Sequence, residues 1–78
     1  MPKIPIIKAQ AFHSVLIKYG CVEISVKGSH HKIHNPRTNK TTVLAIHTGQ
    51  DLGKGPFSGI LAQLGINIED FIKFMRSN

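Results

Sequence analysis

Histidine is the side chain whose ordinary pKa, near 6.5, lets it take and give a proton close to neutrality. This chain of 78 residues has five, and three of them fall within Lys27-Gly28-Ser29-His30-His31-Lys32-Ile33-His34. Gly28-Ser29 has the chemistry of a short turn, so the stretch reads as two strands joined by a hairpin. Successive side chains of a strand point to opposite faces. With Ile33 directed at a core, His30, Lys32 and His34 share the other face and His31 turns away. On the preceding strand Val22, Ile24 and Val26 alternate with Glu23, Ser25 and Lys27, which predicts the three apolar residues inward and Glu23, Ser25 and Lys27 beside the histidines. The result is an uncovered sheet face carrying imidazole and ammonium groups, suited to moving protons on a bound polyanion.

Within that face His30 is the first choice for acid-base work. It follows Gly28, whose missing side chain lets a ligand backbone come close, and it lies between Lys27 and Lys32, which suit phosphate contacts. Ser29 belongs to the same turn. His34 lies further along as a phosphate or surface contact, and His47 is a loop cap or a second site residue. Lys54, just ahead of a predicted helix N-terminus, is a reasonable anion-binding point. His31 is expected to pack at the edge of the core and His13 to be structural. No metal and no cofactor is expected: the strand splits the clustered histidines between two faces, no nearby Asp, Glu or Cys completes a tetrahedral set, and the positive charge opposes cations. No carboxylate orients a histidine toward Ser29 or Cys21 for nucleophilic catalysis. The glycines from Gly49 to Gly55 have the wrong spacing for a nucleotide fingerprint.

The elements that must hold these residues follow from periodicity. Pro2 and Pro5 discourage helix in a loose lead-in from Met1 to Pro5. From Ile6, the spacing of Ile7, Ala11 and Val15 and of Phe12, Leu16 and Tyr19 predicts an amphipathic helix, with Lys8 and Lys18 on its wet side and Gly20 at its end. Strands are predicted over Cys21 to Lys27, His30 to Asn35 and Thr41 to Ile46, with turn formers from Asn35 to Lys40 and a loop from His47 to Lys54. Pro56 suits the first turn of a second helix whose stripe is Phe57, Ile60, Leu61 and Leu64, stopped by Gly65. Asn67 caps a last helix with Glu69 and Asp70 at its start, Lys73 and Arg76 at its end, and Ile68, Phe71, Ile72 and Met75 inward. The expected fold class is α+β in the order α-β-β-β-α-α, a three-stranded antiparallel sheet with helices on one face. It forms one domain over 1–78, without repeats or linkers.

Ten Lys and Arg against four Asp and Glu give a formal charge of +6 and a pI near 9.9. On so small a body that charge attracts polyanions, nucleic acid first and an anionic membrane surface second. A single cysteine, Cys21, excludes an internal disulfide and fits a reducing compartment. No apolar run is long enough to span a bilayer and the start lacks a signal-peptide layout, so the expected location is cytoplasmic.

The helix ending in Gly20, the Gly28-Ser29-His30-His31 element, the turn at Pro36, Ile46-His47-Thr48-Gly49-Gln50-Asp51-Leu52, Gly55, Ile60-Leu61-Ala62-Gln63-Leu64-Gly65-Ile66 and Glu69-Asp70-Phe71 together resemble the HicA (YcfA-like) toxins of bacterial toxin-antitoxin pairs. The resemblance covers nearly the whole chain. It implies a fold similar to double-stranded-RNA-binding domains, cleavage of messenger RNA, and silencing by a partner protein, HicB. It also implies that His30 is catalytic, with Gly28 involved. Two positions depart from the family pattern: Ala45 stands where proline is common, and Pro56-Phe57 follow Gly55 where Thr-Leu is usual.

The expected activity is therefore that of a metal-independent endoribonuclease. RNA supplies its own nucleophile in the 2′-hydroxyl, so the protein needs only positioning, charge stabilisation and proton transfer. Lys27, Lys32 and Lys54 would hold phosphates, with Gly28, Ser29, His34 and His47 also against the substrate. A non-catalytic RNA-binding module is the rival reading, and a domain that only binds protein is the third.

Overall fold

A computed structural model describes residues 3–77. Its elements run β1 (Ile7–Lys8), α1 (Ala9–Tyr19), β2 (Val22–Lys27), β3 (His30–Asn35), β4 (Lys40–Ala45), β5 (Asp51–Leu52), α2 (Lys54–Gln63) and α3 (Ile68–Ser77). Strands β2, β3 and β4 form an antiparallel meander in that order, and β1 pairs with β5 in a separate two-stranded piece. The fold is α+β, with the helices and the three-stranded antiparallel sheet that the sequence predicts. Among the described residues no helix is long and apolar enough to cross a membrane.

Apolar side chains at helical spacing build the helical layer. Phe12 and Leu16 from α1, Phe57, Ile60 and Leu61 from α2, and Phe71 and Ile72 from α3 are buried together with Leu64 and Ile66. The rings of Phe12, Phe57 and Phe71 meet with centroids 5.0 to 6.0 Å apart and inclined to one another, the arrangement that aromatic quadrupoles favour. From the sheet Ile33 of the central strand β3 and Leu44 of β4 reach fully into this core.

The start of the chain differs from expectation. Ile7 and Lys8 are extended, paired with Leu52 and Asp51, and the helix begins at Ala9. The Ala9 N–H donates to the Gln50 carbonyl at 3.0 Å, while Lys8 reaches the Asp51 carboxylate at 2.8 Å and the Gly49 carbonyl at 3.1 Å. These long-range contacts override a periodicity that had placed Ile7 and Lys8 on the helix. Consequently Ala9 is buried where Ala11 was expected to be, and Ala11 is exposed. The same pairing puts a strand inside the predicted loop from His47 to Lys54, and β4 begins and ends one residue earlier than predicted. Met1 and Pro2, the first part of the predicted lead-in, lie outside the described residues.

The tight turn between β3 and β4 locks the sheet to α2. Asn39 takes a left-handed φ of 57° and its N–H donates to the Asn35 carbonyl at 2.8 Å. Buried Asn35 uses its whole side chain: Nδ2 donates to the Leu64 carbonyl at 2.8 Å and Oδ1 accepts from the Arg37 N–H at 3.1 Å. Thr38 donates to the same carbonyl at 2.7 Å. The end of α2 is thus capped by the turn. Gly65, with φ of 69°, fits there because a Cβ would lie 2.9 Å from the Thr38 methyl. Thr42 adds a hydrogen bond from its hydroxyl to the Gln63 side chain. At the last helix Asn67 acts as predicted, accepting from the Asp70 N–H at 3.1 Å.

Replacing Asn35 by alanine leaves the Leu64 carbonyl and the Arg37 N–H short of partners in a buried seam. The expected cost is about 2 kcal/mol, seen in urea unfolding as a lower midpoint with an unchanged slope.

Candidate functional site

The hairpin that carries the site is closed by two residues. Lys27 pairs with His30, Gly28 has φ of 60°, and Ser29 keeps a negative φ. Positive φ at the first central position alone is the pattern of a type II′ turn, which asks for glycine there. A Cβ on Gly28 would meet nothing within 4 Å, so its surroundings are open and its conformation is the constraint. The Ser29 carbonyl accepts from the Ile46 N–H at 2.8 Å, which ties the turn to the end of β4.

Paired residues in adjacent strands share a face. Ile33 is fully buried, so its neighbours His30, Lys32 and His34 project from the uncovered side, as predicted. Their partners complete that face: Lys27 and Ala45 flank His30, Ser25 and Val43 flank Lys32, and Val22 and Thr41 flank His34. His30 and Lys32 are exposed, about 7 Å apart along the strand. His34 stands roughly 13 Å from His30, with its Nδ1 3.1 Å from the Thr41 hydroxyl. The imidazole of His30 has no hydrogen-bond partner among the described residues, in contrast to His13, His31 and His34.

One expectation about β2 fails. Glu23 pairs with Ile33 and Ser25 with Lys32, so Ile24 is an extra residue without a partner. Such a bulge reverses the alternation on one side of it. Ser25 and Lys27 stay on the uncovered face as expected, but Glu23 is carried to the helix side and Val22 takes the place beside His34. Nor are Val22, Ile24 and Val26 inward. Each is about half exposed: the bulge sets Val22 on the uncovered face, and Ile24 and Val26 stand on an edge strand of the meander. Of the four acidic residues of the chain, Glu23 faces α1, Glu69 and Asp70 open α3, and Asp51, paired with Lys8, lines a cleft with Val43 and Ala45 at the β4 edge.

His47 lies just past the Ile46–Ser29 hydrogen bond, at the same end of the sheet as His30. It lines an open cleft of about 370 Å³ with Val43, Ala45, Gln50, Asp51, Gly53 and Pro56. Lys54, the first residue of α2, lines a separate groove with Lys3 and Arg76. The fold therefore gathers Lys27, Gly28, Ser29, His30 and Lys32 at one end of the hairpin. His34 shares their face at a distance, His47 adjoins it, and Lys54 stands apart.

On the helix side the bulge assembles a cluster that sequence reasoning missed. Glu23 Oε1 lies 2.5 Å from His31 Nδ1 and 2.8 Å from His13 Nε2. Those two imidazoles, His31 first, hold the Glu23 carboxyl below its ordinary range. The expectation that no acidic residue stands near the clustered histidines is thus corrected for His31. One signal was present in the sequence: His13 follows Phe12 and precedes Leu16 by three, at the flank of the buried helix stripe. Cys21 is buried, and burial pushes its thiol pKa up against the opposing influence of Arg37, which fits the expected inert role.

A search of curated protein sequences returned no match. The family model described as HicA toxin of bacterial toxin-antitoxin matches residues 9–66. That span runs from the first residue of α1 to the buried Ile66 after α2, and it contains the whole meander with its uncovered face. The chain therefore belongs to the HicA toxin family.

Proposed function

We propose that the chain is a ribonuclease toxin that cleaves messenger RNA in the cytoplasm without a metal and is neutralised by a HicB-type antitoxin. The observation that carries this reading is the surroundings of His30. Its imidazole is exposed, directly across from Lys27 and two residues from Lys32, on a face to which the register assigns no carboxylate. Family membership supports it, since a toxin of a toxin-antitoxin pair implies an antitoxin partner.

In this reading Lys27 and Lys32 hold successive backbone phosphates against the sheet, and the Gly28-Ser29 turn lets the ribose approach. The His30 imidazole accepts the proton of a 2′-hydroxyl. The oxygen so freed attacks the adjacent phosphorus, the bond to the 5′-oxygen breaks, and that leaving oxygen takes a proton from water or a second protein group. The products are a 2′,3′-cyclic phosphate and a 5′-hydroxyl. His47, at the edge of the same face, His34, further along it, and Lys54 are the remaining contacts proposed for the substrate. An antitoxin lying over this cationic face would exclude RNA by occupying it.

With unstructured RNA in the presence of a chelator, wild-type protein is expected to cut. His30→Ala should lower the rate by about 10²–10⁴-fold, with the circular dichroism spectrum unchanged. Undiminished cutting by that variant removes His30 from the chemistry, and binding without product assigns the face to RNA recognition alone. DNA of matched sequence should survive, because it lacks the 2′-hydroxyl. Replacing Lys27 and Lys32 by alanine should weaken RNA binding across sequences and reduce the slope of log affinity against log salt by roughly 0.7 for each lysine, measured by fluorescence anisotropy.

A further inference from the structure

We propose that His13, Glu23 and His31 form a binding site for one zinc(II) ion, which staples α1 to the edge of the sheet. The three residues come from three different elements: His13 from α1, Glu23 from β2 and His31 from β3. One ligand atom from each, Nε2 of His13, Nδ1 of His31 and a carboxylate oxygen of Glu23, lie within 4.8 Å of one another. Zinc bonds of about 2.0–2.2 Å in tetrahedral geometry set neighbouring ligand atoms roughly 3.4 Å apart. Glu23 Oε1 now sits 2.5 Å and 2.8 Å from the two nitrogens. It needs to withdraw by less than about 1 Å to admit the ion, and a side chain at the exposed edge of β2 has room to do so.

The donor set narrows the metal. Two imidazoles and one carboxylate suit zinc and the other imidazole-binding transition ions, whereas magnesium and calcium require all-oxygen shells; zinc, with no geometric preference of its own from d-electrons, asks least of the three side chains. Three protein ligands leave a fourth position, and the side chains are accessible enough, at 19% to 31% exposed, for water to fill it. The rings meet edge to face, with centroids 5.1 Å apart at 61°, so it is nitrogen atoms and not ring faces that converge on the carboxylate.

The chain's positive charge bears on this site less than its total suggests. By register Lys27 and Lys32 project from the opposite face of the sheet, and the residue paired with His31 on β2 is Val26. The charged group facing the two imidazoles is the Glu23 carboxylate itself. The ion replaces the hydrogen bonds that now link Glu23 to the two histidines with coordinate bonds at the same place.

The test uses the full chain without an affinity tag, titrated with zinc chloride by calorimetry and followed by thermal unfolding. One zinc per chain is expected, with a Tm that climbs as zinc rises above the dissociation constant. Cobalt(II) in its place should give the intense visible bands of four- or five-coordination. His13→Gln, Glu23→Gln and His31→Gln should each weaken zinc binding roughly tenfold or more and abolish the Tm shift, while His30→Ala and His47→Ala retain both. Zinc binding that survives Glu23→Gln and His13→Gln, or that is lost in His30→Ala, overturns the assignment. So does the absence of stoichiometric binding to wild-type protein, or a cobalt spectrum of the weak octahedral type. If His31→Gln does not fold, loss of zinc binding and of the four- or five-coordinate cobalt bands in His13→Gln and Glu23→Gln decides the matter.

Discussion

The burial of Ile33 is the constraint from which the rest of the structure follows. It is fully enclosed by the helical layer, and in a strand that single fact decides the direction of every neighbour. His31 and Asn35 are carried inward with it, where one meets Glu23 and the other caps α2. His30, Lys32 and His34 are carried outward. A slip of one residue would exchange the two sets, burying lysine beneath helices and exposing the core, so the register is strongly held. The Asn35 turn reinforces it from the other end, because the carboxamide reaches Leu64 only in this register.

What the sequence made legible was of this kind: periods and local signals. The alternation through Ile33, the stripe of Phe57, Ile60, Leu61 and Leu64, the turn at Gly28-Ser29 and the cap at Asn67 each depend on residues close together in the chain, and each is found in the structure. Ile7 and Lys8 were misread because their partners are more than forty positions away. Helical spacing was present there, but pairing with Asp51 and Leu52 prevailed. Val22, Ile24 and Val26 were misread for a related reason. Alternation shows that a strand has two unlike sides, but which strand lies at an edge, and which of its residues the helices cover, depends on the meander's order and on where α1 and α2 come to rest.

The bulge at Ile24 was illegible in a stricter sense. The run from Val22 to Lys27 alternates apolar and polar residues without interruption, so nothing in it announces an extra residue. The driving force is tertiary: with the bulge Glu23 meets both His13 and His31, from a helix and from the next strand. Acid and bases that look unrelated in sequence satisfy one another only once α1 has docked. The candidate site divides along the same line. Its hairpin portion could be read locally, whereas the placement of His47 beside it and of Lys54 away from it follows from how the chain returns through β5 to α2.

The same bulge shapes the electrostatics of the uncovered face. Continuing the hairpin register from Lys27 and His30 without an extra residue would set Ile24 opposite Ile33 and Glu23 opposite His34. A carboxylate would then lie on the cationic face, within a strand spacing or two of Lys32, and would oppose any approaching phosphate. With Ile24 inserted, Glu23 rotates to the helix side and the uncharged Val22 takes its position. Glu23 is thereby kept on the opposite side of one thin sheet from Lys27, His30 and Lys32. Those three are spared its negative charge, and the displaced Glu23 anchors α1 through its two histidines. One irregular residue in an edge strand thus links the cohesion of the helix–sheet seam to the charge of the face that the proposed chemistry requires.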